Sequence, residues 1–137
     1  MRKDKDLKSK KEIDILEATM KLKEDGILYV YFKANIILDI NLQERFLVCY
    51  HEITNGEPTP FLFESGEGVQ VTKEARENAI RIEKESPCNA MAVVVSSLAY
   101  KLIANFYFQF HKPTIPYKVF SNSTDATLWL KNYIVTK

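Results

Sequence analysis

The chain has 137 residues, of which 46% are apolar and 27% are charged, and its formal net charge at pH 7 is +1. A chain of this length fits one domain that buries roughly two thirds of its unfolded surface. The composition excludes a disordered protein. Because the N-terminal segment is polar and no run of about 18 apolar residues occurs, we expect a cytoplasmic protein without a transmembrane segment.

The charge is unevenly distributed along the chain. Residues 2–11 carry six basic side chains against two acidic ones, so residues 12–137 are net negative. We expect residues 1–11 to form a basic flexible tail and residues 12–137 to form a single domain. A basic tail can contact nucleic acid or anionic lipid by counterion release, although most such tails are simply solvated. The acidic remainder predicts that no nucleic acid binds the folded domain.

The chain begins with the pattern of a β-hairpin. Residues 12–22 read as a strand in which the alternation of apolar side chains slips, and such a slip indicates a bulge or two short pieces. Asp25-Gly26 is a turn signal. The β-branched and aromatic run at 27–32 predicts a strand that is buried on both faces and pairs antiparallel with the first.

The remaining elements alternate between helix and strand. In chain order they are a helix over about 42–54 capped by Asn41, a strand over 61–63, a loop over 64–71, a helix from a cap at Thr72 to about residue 84, a strand over 91–95, a helix from a cap at Ser96 or Ser97 to about residue 110, a strand over 117–120 and a last helix capped by Ser123. Such alternation requires right-handed crossovers. The predicted fold class is α/β, with a mixed, mostly parallel five-stranded sheet opened by an antiparallel hairpin and about four helices.

Motifs for catalysis and for metal binding are missing from the sequence. His51 and His111 belong to no metal-ligand motif, and no Cys-x-x-Cys pair, complete phosphate loop or Gly-x-Ser-x-Gly turn occurs. Cys88 and His111 could meet as nucleophile and base, but Cys88 follows a proline at the start of a buried strand, where cysteine ordinarily packs. We therefore expect no metal, no cofactor and no enzymatic activity.

The helix predicted over about 97–110, which we call the aromatic helix, is apolar around roughly two thirds of its circumference. An ordinary surface helix needs a narrower apolar stripe. Either this helix is wedged between the sheet and the last helix, or part of its surface meets an apolar ligand, a partner or a second subunit. The candidate residues for such a surface are Tyr100, Ile103, Phe106, Tyr107, Phe108 and Phe110.

The loop before the second helix and the first turn of that helix form another candidate site. A helix N-terminus carries unpaired N–H groups and a partial positive charge, so phosphorylation of Thr72 would add a negative charge where it is favourable. Simple capping explains the same residue. The candidate partner-binding residues are Glu64, Ser65, Thr72, Lys73, Glu74, Arg76 and Glu77.

Several segments, taken in their order and spacing, carry a family resemblance. They are LKEDGILYVYF at 22–32, TKEAR at 72–76, MAVVV at 91–95, Asn105-Phe106, Lys112-Pro113, PYKVF at 116–120 and ATLWL at 126–130. This pattern resembles STAS-like domains, the fold of bacterial anti-sigma-factor antagonists. More narrowly, it is similar to SpoIIAA-like proteins of Bacteroidetes-type bacteria.

The resemblance implies a regulatory module that works by docking. Antagonist-type STAS domains are switched by phosphorylation of a serine in an Asp-Ser-x-Gly stretch at the start of the helix after the third strand. The equivalent stretch here is Val71-Thr72-Lys73-Glu74. Lys73 falls near the serine position, so the motif departs from the family pattern and only Thr72 is left as a candidate for phosphorylation.

These observations lead to two expectations about function. The first is a non-enzymatic regulatory or protein-interaction module that docks an unidentified partner protein through the second helix and the loop before it. The alternative is a carrier of a small apolar, lipid-like ligand, or a homo-oligomer such as a homodimer that forms through the aromatic helix.

Overall fold

The structure is a computed structural model, and it describes residues 9–98, 100–101, 104–105 and 112–135. Its strands are β1 (Ser9–Asp14), β2 (Ala18–Lys23), β3 (Leu28–Phe32), β4 (Ile37–Leu38), β5 (Thr59–Ser65), β6 (Gln70–Val71), β7 (Cys88–Val94) and β8 (Tyr117–Phe120). The helices are α1 (Ile40–Thr54), α2 (Lys73–Glu85) and α3 (Ser123–Leu130), with a 3-10 turn at Lys131–Tyr133. Leu98, Tyr100, Lys101, Ala104 and Asn105 are helical and belong to the aromatic helix. None of the helices in these ranges is long and apolar enough to cross a membrane.

Six strands form the main sheet in the order β1-β2-β3-β5-β7-β8. The pairs β1–β2 and β2–β3 are antiparallel, and β3, β5, β7 and β8 are parallel to their neighbours. The predicted α/β class, a mostly parallel sheet opened by an antiparallel hairpin, is confirmed. The predicted count of five strands is wrong, because the segment 12–22 divides into two strands that turn back on each other.

The start of the domain also differs from the prediction. Strand β1 begins at Ser9, so residues 9–11 of the predicted tail belong to the sheet, and residues 1–8 lie outside the described residues. The Nζ of Lys11 donates a hydrogen bond to Oδ1 of Asn55 at 3.2 Å. The positive charge of residues 9–11 therefore lies on an edge strand, where charged side chains discourage pairing with another chain.

Two helix caps differ from the prediction. The side chain of Asp39, not that of Asn41, accepts the N–H of Leu42 at 2.8 Å, so α1 begins at Ile40. Asn122, not Ser123, caps α3 through the N–H of Asp125. Both errors have one cause: two residues with good capping side chains lie close together, and sequence alone does not rank them. The predicted cap of α2 and the helix end at Asn55 are confirmed.

The core has two layers, one on each face of the sheet. The layer under α1 contains Ala18, Met20, Leu28, Val30, Leu42, Phe46, Tyr50, Ile53 and Phe61. The layer under α3 contains Ile27, Leu62, Ala90, Ala92, Phe120, Ala126 and Leu130. Phe61 and Leu62 are consecutive in β5 and enter opposite layers, as the pleat requires. Strand β3 is not covered on both faces as predicted, since Tyr31 is 46% exposed and α3 packs mainly over β5, β7 and β8.

Candidate functional site

A cavity of about 870 Å³ opens on the face of the sheet that α1 and α2 cover, and we call it the groove. Its floor consists of Phe61 and Phe63 from β5 and Met91 and Val93 from β7. Alternate residues of a strand point to the same face, and the register sets Phe61 beside Met91 and Phe63 beside Val93. The floor is therefore a continuous apolar surface two strands wide.

Two helices supply the walls of the groove. The residues that line it from α2 are Ala75, Arg76, Ala79, Ile80, Ile82 and Glu83, and those from the described part of the aromatic helix are Tyr100 and Ala104. One end is bounded by residues 64–69 and the other by Pro113 and Ile115. The groove therefore lies between two elements that the sequence presented as separate candidate sites.

The end bounded by residues 64–69 is fixed by pairing between two loops. The N–H of Gly66 donates to the carbonyl of Phe32 at 2.8 Å, and the N–H of Asn35 donates to the carbonyl of Glu67 at 2.9 Å. Strands β4 and β6 continue this pairing in parallel. The predicted loop over 64–71 is thus partly strand, since Glu64 and Ser65 belong to β5. A Cβ on Gly66 would lie 2.9 Å from the backbone nitrogen of Ala34, so the loops approach too closely for a side chain there.

The opposite end is fixed by a single carboxylate oxygen. Oε1 of Glu83 accepts hydrogen bonds from the N–H of Thr114 at 2.8 Å, from the hydroxyl of Thr114 at 2.7 Å and from the N–H of Ile115 at 3.0 Å. Hydrogen bonds to a charged acceptor are stronger than neutral ones. Glu83 therefore attaches the segment before β8 to the last turn of α2.

A polar seam holds α2 against α1. Gln43 is buried, its Nε2 donates to the carbonyl of Ala75 at 2.8 Å, and its Oε1 accepts from Asn78 at 3.1 Å. Near the other end of the seam, Nε2 of His51 donates to the carbonyl of Glu85 at 2.6 Å. Arg81 forms ion pairs with Glu44 and with Glu85. These contacts fix the position of the α2 wall.

Large apolar side chains are exposed around the mouth of the groove. Val71, Ile80 and Tyr100 line the groove and are 36%, 45% and 59% exposed. We call these three residues the apolar rim. Leu98, on the same helix as Tyr100, is 73% exposed. An apolar patch that is continuous with an apolar groove is typical of a binding surface.

The structure places three of the seven predicted partner-binding residues in the lining of the groove. Glu64, Ser65 and Arg76 line it, whereas Lys73, Glu74 and Glu77 are exposed on α2 outside the lining. Thr72 caps α2, its hydroxyl accepting the N–H of Ala75 at 3.1 Å.

Of the predicted apolar surface, Tyr100 lines the groove. Ile103, Phe106, Tyr107, Phe108 and Phe110 lie outside the described residues. The sequence predicts a strand over 91–95 but not the floor of a groove, because an apolar run of this length is typical of a strand covered on both faces. Met91 and Val93 are only partly buried, and nothing in their residue types distinguishes a covered strand from the floor of a groove.

Burial shifts the pKa values of two ionisable groups that line the groove, Cys88 and Glu64. Burial raises the pKa of Cys88 to about 12, and it raises the pKa of Glu64 from its ordinary value. The Sγ of Cys88 donates to the carbonyl of Ala90 at 3.2 Å. Within the described ranges, no group of three or more His, Cys, Asp and Glu side chains is arranged to hold a metal ion. His111, the base that Cys88 would need as a nucleophile, lies outside those ranges.

Comparison with known proteins supports the fold. The chain is similar to the crystal structure, at 2.25 Å resolution, of an uncharacterised protein of the DUF3478 family with a SpoIIAA-like fold from Shewanella loihica PV-4. The TM-score is 0.55 at 16% identity, and the match covers 86% of this chain and 98% of that one. The SpoIIAA-like fold implied by the sequence resemblance is thereby confirmed, and at this identity the likeness concerns the fold alone. No curated protein matches the chain. A family model described as a domain of unknown function, DUF7793, matches residues 20–134, and the chain belongs to this family.

Proposed function

We propose that this domain is a non-enzymatic interaction module that docks a partner protein through the groove, with α2 and the loop before it as the contacting elements. The apolar rim carries this proposal. Its three side chains are 36% to 59% exposed although they adjoin an apolar groove. A small molecule on the floor would leave the rim in water, whereas a protein segment laid along the groove would cover both.

A non-enzymatic role fits the chemistry of the ionisable groups. With a pKa of about 12, the thiol of Cys88 stays protonated at neutral pH, and the thiolate is the nucleophilic form. The Nε2 of His51 is engaged with the carbonyl of Glu85. Burial also raises the pKa of Tyr50, so both strongly perturbed groups in the groove lining stay protonated at neutral pH.

Charged residues on α2 would select the partner. Lys73, Glu74 and Glu77 are exposed, and Glu77 lies one turn before Ile80 on the same helix face. Charges at the edge of an interface govern the rate of encounter and the choice of partner more than the affinity. The double variant Lys73→Glu, Arg76→Glu is therefore expected to change which proteins are retained.

The rim can be tested with a matched pair of variants. Ile80→Asp places a charge on the rim, and Val48→Asp makes a comparable change on α1, where Val48 is 66% exposed and outside the groove lining. Each purified variant would be used as bait in a lysate of the source organism, with circular dichroism as the check on folding. We expect Ile80→Asp to lose a partner that the native chain and Val48→Asp retain. Retention of the same partners by all three would contradict the proposal.

A small apolar ligand is a second candidate, favoured by the volume of the groove. About 870 Å³ falls within the range of roughly 300–1,000 Å³ typical of small-molecule sites. Native mass spectrometry of freshly purified protein tests this. Added mass that disappears on denaturation would support a carrier, and a bare mass under gentle conditions would contradict it.

Homodimerisation is a form of the same docking, with a second copy as the partner. The exposed side chains of Leu98 and Tyr100 favour it, because both would be covered by a symmetric contact. Sedimentation velocity over a range of concentrations tests this form. A monomer at every concentration would eliminate it, and a dimer that Tyr100→Asp dissociates would support it.

Phosphorylation of Thr72 is a proposal of its own. The hydroxyl already caps α2, so a phosphate there would replace a neutral cap by a charged one beside Lys73 and Arg76. Phosphopeptide mass spectrometry on protein isolated from the source organism would detect it. A modification confined to other residues would contradict this proposal.

A further inference from the structure

The two ends of the groove are held by different kinds of contact. At the end bounded by residues 64–69, the backbones of two loops pair with each other, and strands β4 and β6 extend that pairing. At the other end, residues 112–116, which we call the strap, are joined to α2 by hydrogen bonds to one side chain, that of Glu83. The strap can therefore separate from α2 without the loss of any strand pairing.

The hydrogen bonds of the strap are weaker together than their number suggests. All three are accepted by Oε1 of Glu83, and one carboxylate oxygen offers two lone pairs to three donors. The two donors of Thr114 are exposed, and only the N–H of Ile115 is partly buried. Water can take the place of Glu83 at the exposed donors, and a hydrogen bond that is exchanged for one with water contributes little net free energy.

The strap, rather than α2, is the element that this release would move. The polar seam, with buried Gln43 at its centre, holds α2 against α1. One end of the strap is anchored in the sheet, because the carbonyl of Pro116 accepts the N–H of Met91 at 2.9 Å. Pro113 and Pro116 each restrict the residue before them to an extended backbone. The strap is therefore a stiff segment that would swing at Pro116 when Glu83 releases it.

The strap also lies where a docked segment would extend. Pro113 and Ile115 line the groove, so the apolar floor ends at their side chains while the strap is attached to Glu83. Resting on the proposed docking function, we propose that Glu83 and the strap form a clasp, which closes this end of the groove in the free chain and opens when a partner segment docks.

A clasp of this kind lowers the affinity of the groove. A site that is open in only a fraction of the molecules binds with an affinity reduced by that fraction. Variants that break the clasp should therefore bind more tightly, although they remove contacts from the chain. If the contacts of Glu83 instead shaped the groove for its partner, the same variants would bind more weakly.

The test uses one labelled amphipathic peptide of about 18 residues, or five helical turns, with Leu on one face and equal numbers of Lys and Glu elsewhere. Its binding to the full-length chain is measured by fluorescence anisotropy. We expect Glu83→Ala to bind the peptide about threefold to tenfold more tightly than the native chain, the factor that corresponds to the net contribution of one ordinary hydrogen bond. Glu83→Gln retains a carbonyl oxygen and should lie between the two.

Two further variants assign the effect to the clasp. Thr114→Asp places a second carboxylate beside that of Glu83, and the repulsion should raise the affinity without changing any residue that lines the groove. Glu52→Ala removes the same charge as Glu83→Ala at an exposed position outside the lining and should bind as the native chain does. Unchanged or weaker binding by Glu83→Ala or Thr114→Asp, or an equal gain in Glu52→Ala, would overturn the proposal.

Amide hydrogen exchange reports on the clasp directly. When the peptide is bound, the N–H groups of Thr114 and Ile115 should exchange faster than in the free chain, because they have lost their acceptor. The N–H of Met91, which is bonded to the carbonyl of Pro116, should keep its protection. Unchanged or slower exchange at Thr114 and Ile115 would show that the strap stays attached.

The same measurements separate the clasp from the docking function. If Ile80→Asp abolishes binding and Glu83→Ala binds no more tightly than the native chain, docking in the groove stands and the clasp fails. If Ile80→Asp binds the peptide as the native chain does, or if neither the native chain nor Glu83→Ala binds it, the proposed function fails as well.

Discussion

The carboxylate of Glu83 holds one end of the groove in place, because its Oε1 accepts three hydrogen bonds from Thr114 and Ile115. Glu83→Ala would leave these donors without their acceptor. The two donors of Thr114 are exposed to water and only the N–H of Ile115 is partly buried, so the loss lies at the lower end of the about 1–3 kcal/mol that an unpaired buried donor costs. We expect the free energy of unfolding, measured with urea, to fall by that amount.

Two further variants test whether the loss of stability comes from the three hydrogen bonds to Glu83. Glu83→Gln retains a carbonyl oxygen and should lose less than Glu83→Ala. Lys84→Ala, at the exposed neighbouring position, should change stability little. Equal losses for Glu83→Ala and Lys84→Ala would show that the three hydrogen bonds do not stabilise the fold.

We expect the thiol of Cys88 to make the stability of the fold depend on pH in the alkaline range. Its pKa is about 12 in the folded state, against an ordinary value of 9.0, because burial disfavours the thiolate. Between these values the folded state binds more protons than the unfolded state, so stability decreases as pH rises. The contribution of the Cys88 thiol to stability is fully present below pH 9 and is lost as the pH rises toward 12. The buried hydroxyl of Tyr50, whose pKa burial also raises, acts in the same direction.

The measurement is urea unfolding at a series of pH values from 8 to 11. Cys88→Ala should flatten the part of the pH dependence that the thiol causes. A Cys88→Ala curve parallel to that of the native chain would indicate that this thiol titrates normally. Fast alkylation of Cys88 in the folded protein at pH 8 would indicate the same.

At the scale of elements, the close pairing of the loops that follow β3 and β5 positions α2. A Cβ on Gly66 would lie 2.9 Å from the nitrogen and 3.0 Å from the Cα of Ala34. Because these are backbone atoms, Gly66→Ala should push the loops apart and cost about 1–3 kcal/mol, the usual penalty of overpacking. Glu67→Ala, at the exposed next position, is the control. Thermal melts of the two variants measure the difference, and similar melting temperatures would contradict the tight approach.

The alternation of helix and strand could be predicted because it follows from local patterns. Asp25-Gly26 turns the chain between β2 and β3, Asn55 adopts the left-handed conformation that ends α1 at a φ of 55°, and Thr72 caps α2. Each of these signals lies within a few residues of the element that it specifies. Such local signals can be recognised in a single sequence.

The pairing of β4 with β6 and the groove itself could not be predicted in this way. Ile37 pairs with Gln70, more than thirty residues away, and only two residues of each strand take part. The groove is formed by the spacing of α2 from the aromatic helix over β7, and no local pattern encodes that spacing. The role of Glu83 could not be predicted either, because its partners Thr114 and Ile115 are distant in sequence.

At the scale of the whole molecule, the two faces of the sheet differ in what covers them. The layer under α3 is one buried cluster in which small side chains such as Ala90 and Ala92 pack with larger ones such as Phe120 and Leu130. The opposite face contains the α1 core and, beside it, the groove. This asymmetry predicts that partner contacts are confined to one face.

Chemical-shift mapping of the labelled full-length chain with a synthetic amphipathic helical peptide of about 18 residues tests this confinement most directly. The account predicts that the perturbed amide resonances belong to residues 66–72, to α2 and to β7, with the largest changes near Val71 and Ile80. Perturbations centred on α3, on β1 or on the exposed face of α1, with the groove resonances unchanged, would contradict it.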